Sequence, residues 1–470
     1  MLKAINRLLE RKWFPVPFRI LTLVAFAGLV IIGFSSPTDD PFFISQLSKT
    51  NLTTGFVWRL WWPMIVLSAI LLGRVWCMVC PVEMVTTSFA RIGLKMKRPQ
   101  WILSGWVITL FYMIVLTVGI TILKIDLNPE YTSYYLLFIM GISITTGLLF
   151  EKNTFCRYVC PVGYMLGIFS KIAVWGWRVK NRSVCDVCRD KSCISASYTY
   201  QFNYKSCGVD LVPAEIDNNS HCLLCGGCLK TCKTYKTTNN NSSRPNPVLK
   251  KTGFAGDLFQ LKPLQMAEWI FLFLLTGSMI FEMTHFKTIS DLGASIMTGK
   301  ISAGLGLSEG ILKDTVKVIF LFLILPAVLW LLPYIMIRSA GTNISTGVYE
   351  KYTSLIFLPV IAAFFVGLSI MEIGTKFPYY KYIVSDIRGV ETIKAILFRQ
   401  IGIPQLPSWI DTGFIVILIS ALIAGVFISF KVIRKLVIKS FFQFPQPILY
   451  VLPLIFIVTL VTETLLFLCF

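Results

Sequence analysis

Histidine is almost absent from this 470-residue chain: His221 and His285 are the only two. No Cys-x-x-Cys-His occurs, which excludes covalent c-type haem. A b-type haem held by two histidines between membrane helices lacks its ligands. Charge is also scarce, at 14% Asp, Glu, Lys and Arg, where a soluble domain carries about 25%. Acidic residues are rarest, 24 against 44 basic, so the formal net charge is +20. In a chain that is 55% hydrophobic, such an excess is read as cytoplasmic loop charge on a membrane protein, not as a nucleic-acid surface.

Long apolar runs fill the space that charge leaves. Nine are span-length candidates: 18–36, 56–73, 103–123, 133–150, 264–283, 315–337, 353–373, 412–431 and 446–467. The first follows Lys3, Arg7, Arg11 and Lys12, with no clear small-x-small cleavage signal after it, and reads as a retained anchor. The loop 74–102 carries Arg74, Arg91, Lys95, Lys97 and Arg98, and the eighth run ends in Lys431, Arg434, Lys435 and Lys439. Loops 37–55 and 124–132 hold Asp39, Asp40, Asp126 and Glu130 instead. The basic loops share one side if the N-terminus is cytoplasmic. The expectation is an all-α polytopic protein of about nine transmembrane helices in a bacterial inner membrane.

One stretch interrupts the apolar pattern. Residues 178–262 are polar, with an Asn-Asn-Asn-Ser-Ser run before Pro245 and Pro247. The expected organisation is an N-terminal membrane domain at 1–178, a small inserted α+β double-cluster ferredoxin-like domain at 179–240 on the cytoplasmic side, a linker at 241–262, and a C-terminal membrane domain of about five helices at 263–470. Residues 378–402 mix apolar and charged positions and suit an interfacial helix.

Cysteine is what the chain has in concentrated form. Twelve of its thirteen cysteines lie between Cys77 and Cys232. Cys222-x2-Cys225-x2-Cys228-x3-Cys232 is the bacterial ferredoxin run, whose thiolates wrap a [4Fe–4S] cube. Gly226 and Gly227 give that loop its freedom. Cys185-x2-Cys188-x4-Cys193, followed by Cys207, is an expanded partner run. The last cysteine of a run serves the other cube in two-cluster ferredoxins. The spacing therefore predicts one cube on Cys185, Cys188, Cys193 and Cys232, and another on Cys207, Cys222, Cys225 and Cys228. The basic residues around them, Arg182, Arg189, Lys191, Lys205, Lys230, Lys233 and Lys236, suit anionic lipid headgroups or an acidic electron carrier.

Four more cysteines end two apolar runs in similar text. Trp76-Cys77-Met78-Val79-Cys80-Pro81-Val82 and Phe155-Cys156-Arg157-Tyr158-Val159-Cys160-Pro161-Val162 form a weak internal repeat. Thiols at one depth suit a further iron–sulfur centre, another soft metal, or a redox thiol pair. Glu83 and Glu151 flank them, as proton carriers or as supports. Cys469 has no partner nearby in sequence.

Two Cys-Pro motifs followed by a double-cluster module resemble the polyferredoxin-type membrane 4Fe–4S proteins. These include the H subunit of the periplasmic nitrate reductase system and the C-terminal half of the nitrous-oxide-reductase regulator. Cys156 to Pro161 has the family's C-x3-C-P form, while Cys77 to Pro81 is one residue shorter. The resemblance covers roughly 56–235 and leaves 264–470 unassigned; the regulator's outer flavin domain has no counterpart. It implies electron relay between the quinone pool or a cytoplasmic donor and a partner redox protein or subunits, in the manner of a quinol dehydrogenase-type redox subunit. The alternative is an assembly or maturation factor that reduces a metal or cysteine during biogenesis of another membrane enzyme.

Overall fold

The computed structural model describes residues 2–36, 41–200, 206–232, 245–285, 315, 318–339, 345–402, 408–438 and 446–469. Lys205, Lys233, Lys236 and the Asn-rich part of the linker lie outside these residues. So does most of the segment between the fifth and sixth apolar runs.

Six described helices are long and apolar enough to cross a membrane: Val16–Phe34, Leu52–Leu72, Pro129–Leu149, Phe320–Ser339, Thr346–Gly374 and Thr412–Ile438. Each coincides with one of the nine apolar runs. Two more runs fall on the shorter apolar helices Trp106–Ile122 and Leu449–Val461. The run 264–283 forms the helix Met266–His285, with Glu268 near its start and Glu282 near its end.

The chain divides into two compact units. The first comprises Met1–Ile108, Leu127–Leu258 and Tyr380–Gly402. The expected cluster insert therefore folds within the same unit as the first membrane helices. Its entry and exit are two strands, β1 (Trp175–Val179) and β2 (Pro247–Lys251), paired antiparallel with Trp177 opposite Leu249. Leu9 and Phe14 from the N-terminus join Trp177, Cys222, Leu224, Cys228, Leu229 and Leu249 in one apolar core. Asn6 clamps β2 in two directions: its Nδ2 donates to Leu249 O at 3.1 Å, and its Oδ1 accepts from Leu249 N at 2.9 Å.

At another place in this unit, residues 386–389 meet residues 50–52. Leu52 N donates to Ile387 O at 3.0 Å, Asn51 Nδ2 to Arg388 O at 2.9 Å and Thr50 Oγ1 to Gly389 O at 2.9 Å. The stretch expected as an interfacial helix is thus the end of the helix Thr346–Ser385, a turn, and the separate helix Val390–Leu397.

The second unit comprises Thr109–Asp126, Phe259–Tyr379 and Ile403–Phe470. The helix Thr346–Gly374 runs through its middle, with 83% of its membrane-length window buried. Aromatic contacts fill the unit: Trp330 meets Trp269 edge-on at 5.9 Å and Phe357 at 5.2 Å, and Tyr112 stacks on Phe271 at 4.4 Å. Such pairs add about 0.5–1.5 kcal/mol each beyond area burial. Tyr349 satisfies its buried hydroxyl on Trp330 O at 2.7 Å.

Candidate functional site

The structure brings the twelve clustered cysteines together as three sets of four. All twelve are free thiols.

The first set is Cys185, Cys188, Cys193 and Cys232, which line one cavity of about 310 Å³. Asn181 caps the short helix Arg182–Asp186, accepting from Ser183 N at 3.1 Å, and so fixes Cys185. Asn246 Nδ2 donates to Cys185 Sγ at 3.1 Å and also to Asn181 O at 2.7 Å. Lys191 N donates to Cys188 Sγ at 3.4 Å. Ser192 Oγ donates to Thr231 O at 2.5 Å, which draws the first run toward Cys232. This set sits at the surface: Arg182, Asp186, Val187, Arg189, Asp190 and Lys191 around it are exposed.

The second set is Cys207, Cys222, Cys225 and Cys228. Leu224 (φ +53°) and Gly226 (φ +71°) both take the left-handed conformation. That curls the Cys222–Cys228 loop, and glycine tolerates the conformation at little cost. Leu211 N donates to Cys207 Sγ at 3.4 Å. Trp177, 1% exposed, donates its indole N–H to Cys228 Sγ at 2.7 Å. Cys207 N donates to Cys193 O at 2.8 Å, so one backbone hydrogen bond joins the first two sets.

The third set is Cys77, Cys80, Cys156 and Cys160. Both motifs fold alike: a short helix (Val75–Val79, Thr154–Tyr158), then a cysteine in extended conformation, then a helix opened by proline (Pro81–Ile92, Pro161–Phe169). Proline suits the first helical turn because the N–H it lacks has no partner there. Cys160 Sγ accepts from Gly163 N at 3.2 Å. The four thiols line an almost wholly apolar cavity of about 260 Å³, walled by Trp58, Trp61 and Trp76 among others. Trp58 and Trp61 belong to the π-helical stretch Gly55–Trp61.

Burial and neighbouring sulfurs raise these thiols. Burial, with Cys232, Cys185 and Cys188 adding, pushes Cys193 up to about 12. Burial pushes Cys222 to about 12, with Cys225 and Cys207 adding, and Cys80 to about 12, with Cys77 and Cys160 adding. Four thiolates do not persist side by side in such surroundings without a cationic centre among them.

Among the described residues, no three His, Cys, Asp or Glu side chains converge closely enough to hold a single metal ion. Sets of four soft donors receiving N–H···S hydrogen bonds fit a polynuclear iron–sulfur group, whose potential such bonds tune. The residues present therefore fit that group in each set.

Charged residues surround the third set: Glu83, which flanks its motif in sequence, and Arg19 and Arg74, which no motif marks. Arg19, from the first membrane helix, is 7% exposed; its Nη1 pairs with Glu83 Oε2 at 2.5 Å and its Nε donates to Met78 O at 2.8 Å. Glu83 is buried and also accepts from Asn153 Nδ2 at 2.8 Å and Thr87 Oγ1 at 3.1 Å. Asn153 N in turn donates to Gly208 O at 2.9 Å, beside Cys207. Glu151 pairs with Arg98 at 3.1 Å, and Arg98 with Asp210 at 2.5 Å. Arg74, which the sequence presents as one more loop cation, is buried. His221 is half-buried beside Cys222. The contacts of Trp177, Asn246 and Arg19 with cysteine or Glu83 span 51 or more residues, so no local spacing could have marked them.

Comparison with known proteins identifies a 4Fe-4S binding domain in the chain, matched at residues 54–99 and 132–184. The first matched segment holds Cys77 and Cys80 and the second Cys156 and Cys160, whereas Cys185 to Cys232 lie beyond both. The match is thus on the membrane-end set. An uncharacterized protein of Methanocaldococcus jannaschii is 24% identical over 174 residues, 35% of this chain. The chain spans 63% of that relative's length. No solved structure matches.

Proposed function

We propose that this protein is a membrane-bound electron relay with three four-thiolate stations, two in the polar domain and one at the membrane end. Cys185, Cys188, Cys193 and Cys232 hold one [4Fe–4S] cube, and Cys207, Cys222, Cys225 and Cys228 a second. Cys77, Cys80, Cys156 and Cys160 hold a further iron–sulfur centre. Iron–sulfur groups supply one-electron transfer at potentials set by their surroundings.

The observation that carries this reading is the gathering of twelve cysteines into three sets of four, one of them under the 4Fe-4S domain match. The cysteines orient and charge-balance the stations. Trp177, Asn246 and the backbone N–H groups of Lys191, Leu211 and Gly163 hold the sulfurs' lone pairs. The tryptophan-lined walls keep water from the third set. Electrons pass between a quinol or cytoplasmic donor and a partner redox protein. The chain spans the bacterial inner membrane nine times, with the N-terminus and polar domain cytoplasmic. The packing of Leu9 and Phe14 into the polar-domain core supports a shared side for those two parts.

Anaerobically purified full-length protein tests the reading. Iron and acid-labile sulfide should match three centres, with a reduced-state EPR signal, and a quinol analogue should reduce them. Colourless protein carrying zinc would sink it.

A further inference from the structure

Arg74 lies between the second and third cysteine sets. Its side chain belongs to a residue only 2% exposed. Nη1 donates to Ser220 O at 2.9 Å, two residues before Cys222. Nη2 donates to Cys156 O at 3.4 Å. Gly163 makes room for it: a Cβ there would lie 2.8 Å from Arg74 Nη2 and 3.5 Å from Cys160 Sγ.

A buried guanidinium demands a compensating anion, because taking its charge out of water is costly. Both of Arg74's hydrogen-bond acceptors are neutral carbonyls, and Nε has none. Among the described residues no carboxylate forms an ion pair with it. Its field does reach a cysteine in each flanking set, Cys160 on one side and Cys222 on the other. Thiolate-ligated centres would supply the missing negative charge on both sides.

We propose that Arg74 is the shared counter-ion of the Cys77–Cys160 set and the Cys207–Cys228 set, and that it raises the reduction potential of both. The proposal rests on the reading that both sets hold iron–sulfur centres. Adding an electron makes a centre more negative, and a nearby fixed cation favours that state. One residue thus ties together the potentials of two successive stations. The surface set, Cys185 to Cys232, lies outside its contacts and is left alone.

The test is an EPR-monitored redox titration of full-length protein carrying Arg74→Met or Arg74→Lys. Signals are assigned by their loss in Cys77→Ser, Cys185→Ser and Cys228→Ser. With Arg74→Met, the membrane-end and buried centres should each become at least tenfold harder to reduce, about 59 mV for one electron. The surface centre should hold its potential, and Arg74→Lys should recover most of the shift. Unchanged potentials in an Arg74→Met protein with full iron content would overturn the proposal. If Arg74→Met fails to assemble, the lysine variant decides: full iron and near-native potentials support the counter-ion role, and loss of iron there too overturns it in favour of scaffolding. Wild-type protein without iron in these two sets would instead defeat the functional reading itself.

Discussion

Cys185 and Cys188 lie on a rim of exposed charged residues, whereas Cys222 and Cys228 lie in an apolar core with Leu9, Phe14 and Trp177, against which Cys193 also packs. The two sets come from neighbouring stretches and are joined by one backbone hydrogen bond, Cys207 N to Cys193 O. Their surroundings nevertheless differ in kind. Solvent can stabilise charge at Cys185 and Cys188, while in the core only fixed donors can. A side-chain donor reaches a sulfur in each set, Asn246 at 3.1 Å for the rim and Trp177 at 2.7 Å for the core. The same sequence grammar thus yields two environments, and exposure and hydrogen bonding are what tune potential.

The strongest way to break this contrast is to remove a sulfur from each side. Cys228→Ser should cost the core centre and loosen the polar domain, because the side chain is part of the apolar core. Cys185→Ser should cost one centre and leave the fold standing. Iron content and protease resistance of the two variants check this.

The membrane-end set extends the comparison to a third environment. Glu83→Ala leaves Arg19 buried without its ion-pair partner and should destabilise the first unit by about 3–5 kcal/mol, read as a lowered thermal transition in detergent. The corresponding change at the rim, Asp186→Ala, should move the transition little.

Hydrogen bonds to sulfur give the next smaller effect. Trp177→Phe keeps the aromatic packing and removes the donor, at about 1 kcal/mol. The core centre's potential should fall and the rim centre's should not, in the same EPR titration. Asn246→Ala should lower the rim potential by less, since water can replace the lost donor there.

The smallest effect concerns Asp210, near Cys207. Burial alone would raise its carboxyl, but hydrogen bonds from Lys152 and Arg98 hold it below the usual range. A lowered folded-state value means the stabilisation is present above about pH 4. It is lost as pH falls through the lower folded value. Asp210→Asn should therefore cost about 0.5 kcal/mol near neutral pH and less in acid, a closing gap visible in unfolding curves across pH.

Local text carries much of this architecture. Each of the six membrane-length helices coincides with an apolar run, because a span needs only length and hydrophobicity. Both Cys-Pro motifs fold as helix, extended cysteine, proline-opened helix, since proline's missing N–H is tolerated in a first turn and little else there is. Ferredoxin spacing assigns Cys232 to the first run and Cys207 to the second, and Cys232 lines one cavity with Cys185, Cys188 and Cys193. The 4Fe-4S match nevertheless falls on the motif pair that spacing marked less strongly, at residues 54–99 and 132–184.

What surrounds the sulfurs was illegible. Trp177 reads as one aromatic residue in a short strand, and Asn246 as linker text between two prolines. Arg19 reads as an interruption in an apolar run. Arg74 reads as a cation serving the positive side of a membrane, and charge counting cannot tell a solvated arginine from a buried one.

By itself, then, the sequence determined where the thiols cluster, how they divide by spacing, and which runs are apolar enough for lipid. Those properties are local, fixed by residue type and by intervals of a few positions. Tertiary structure decided which sulfurs meet solvent and which meet the apolar core, which indole and amide reach them, and that Arg74 faces two sets at once. Those depend on contacts between segments far apart in the chain, where packing places a donor or a charge that no interval along the sequence specifies.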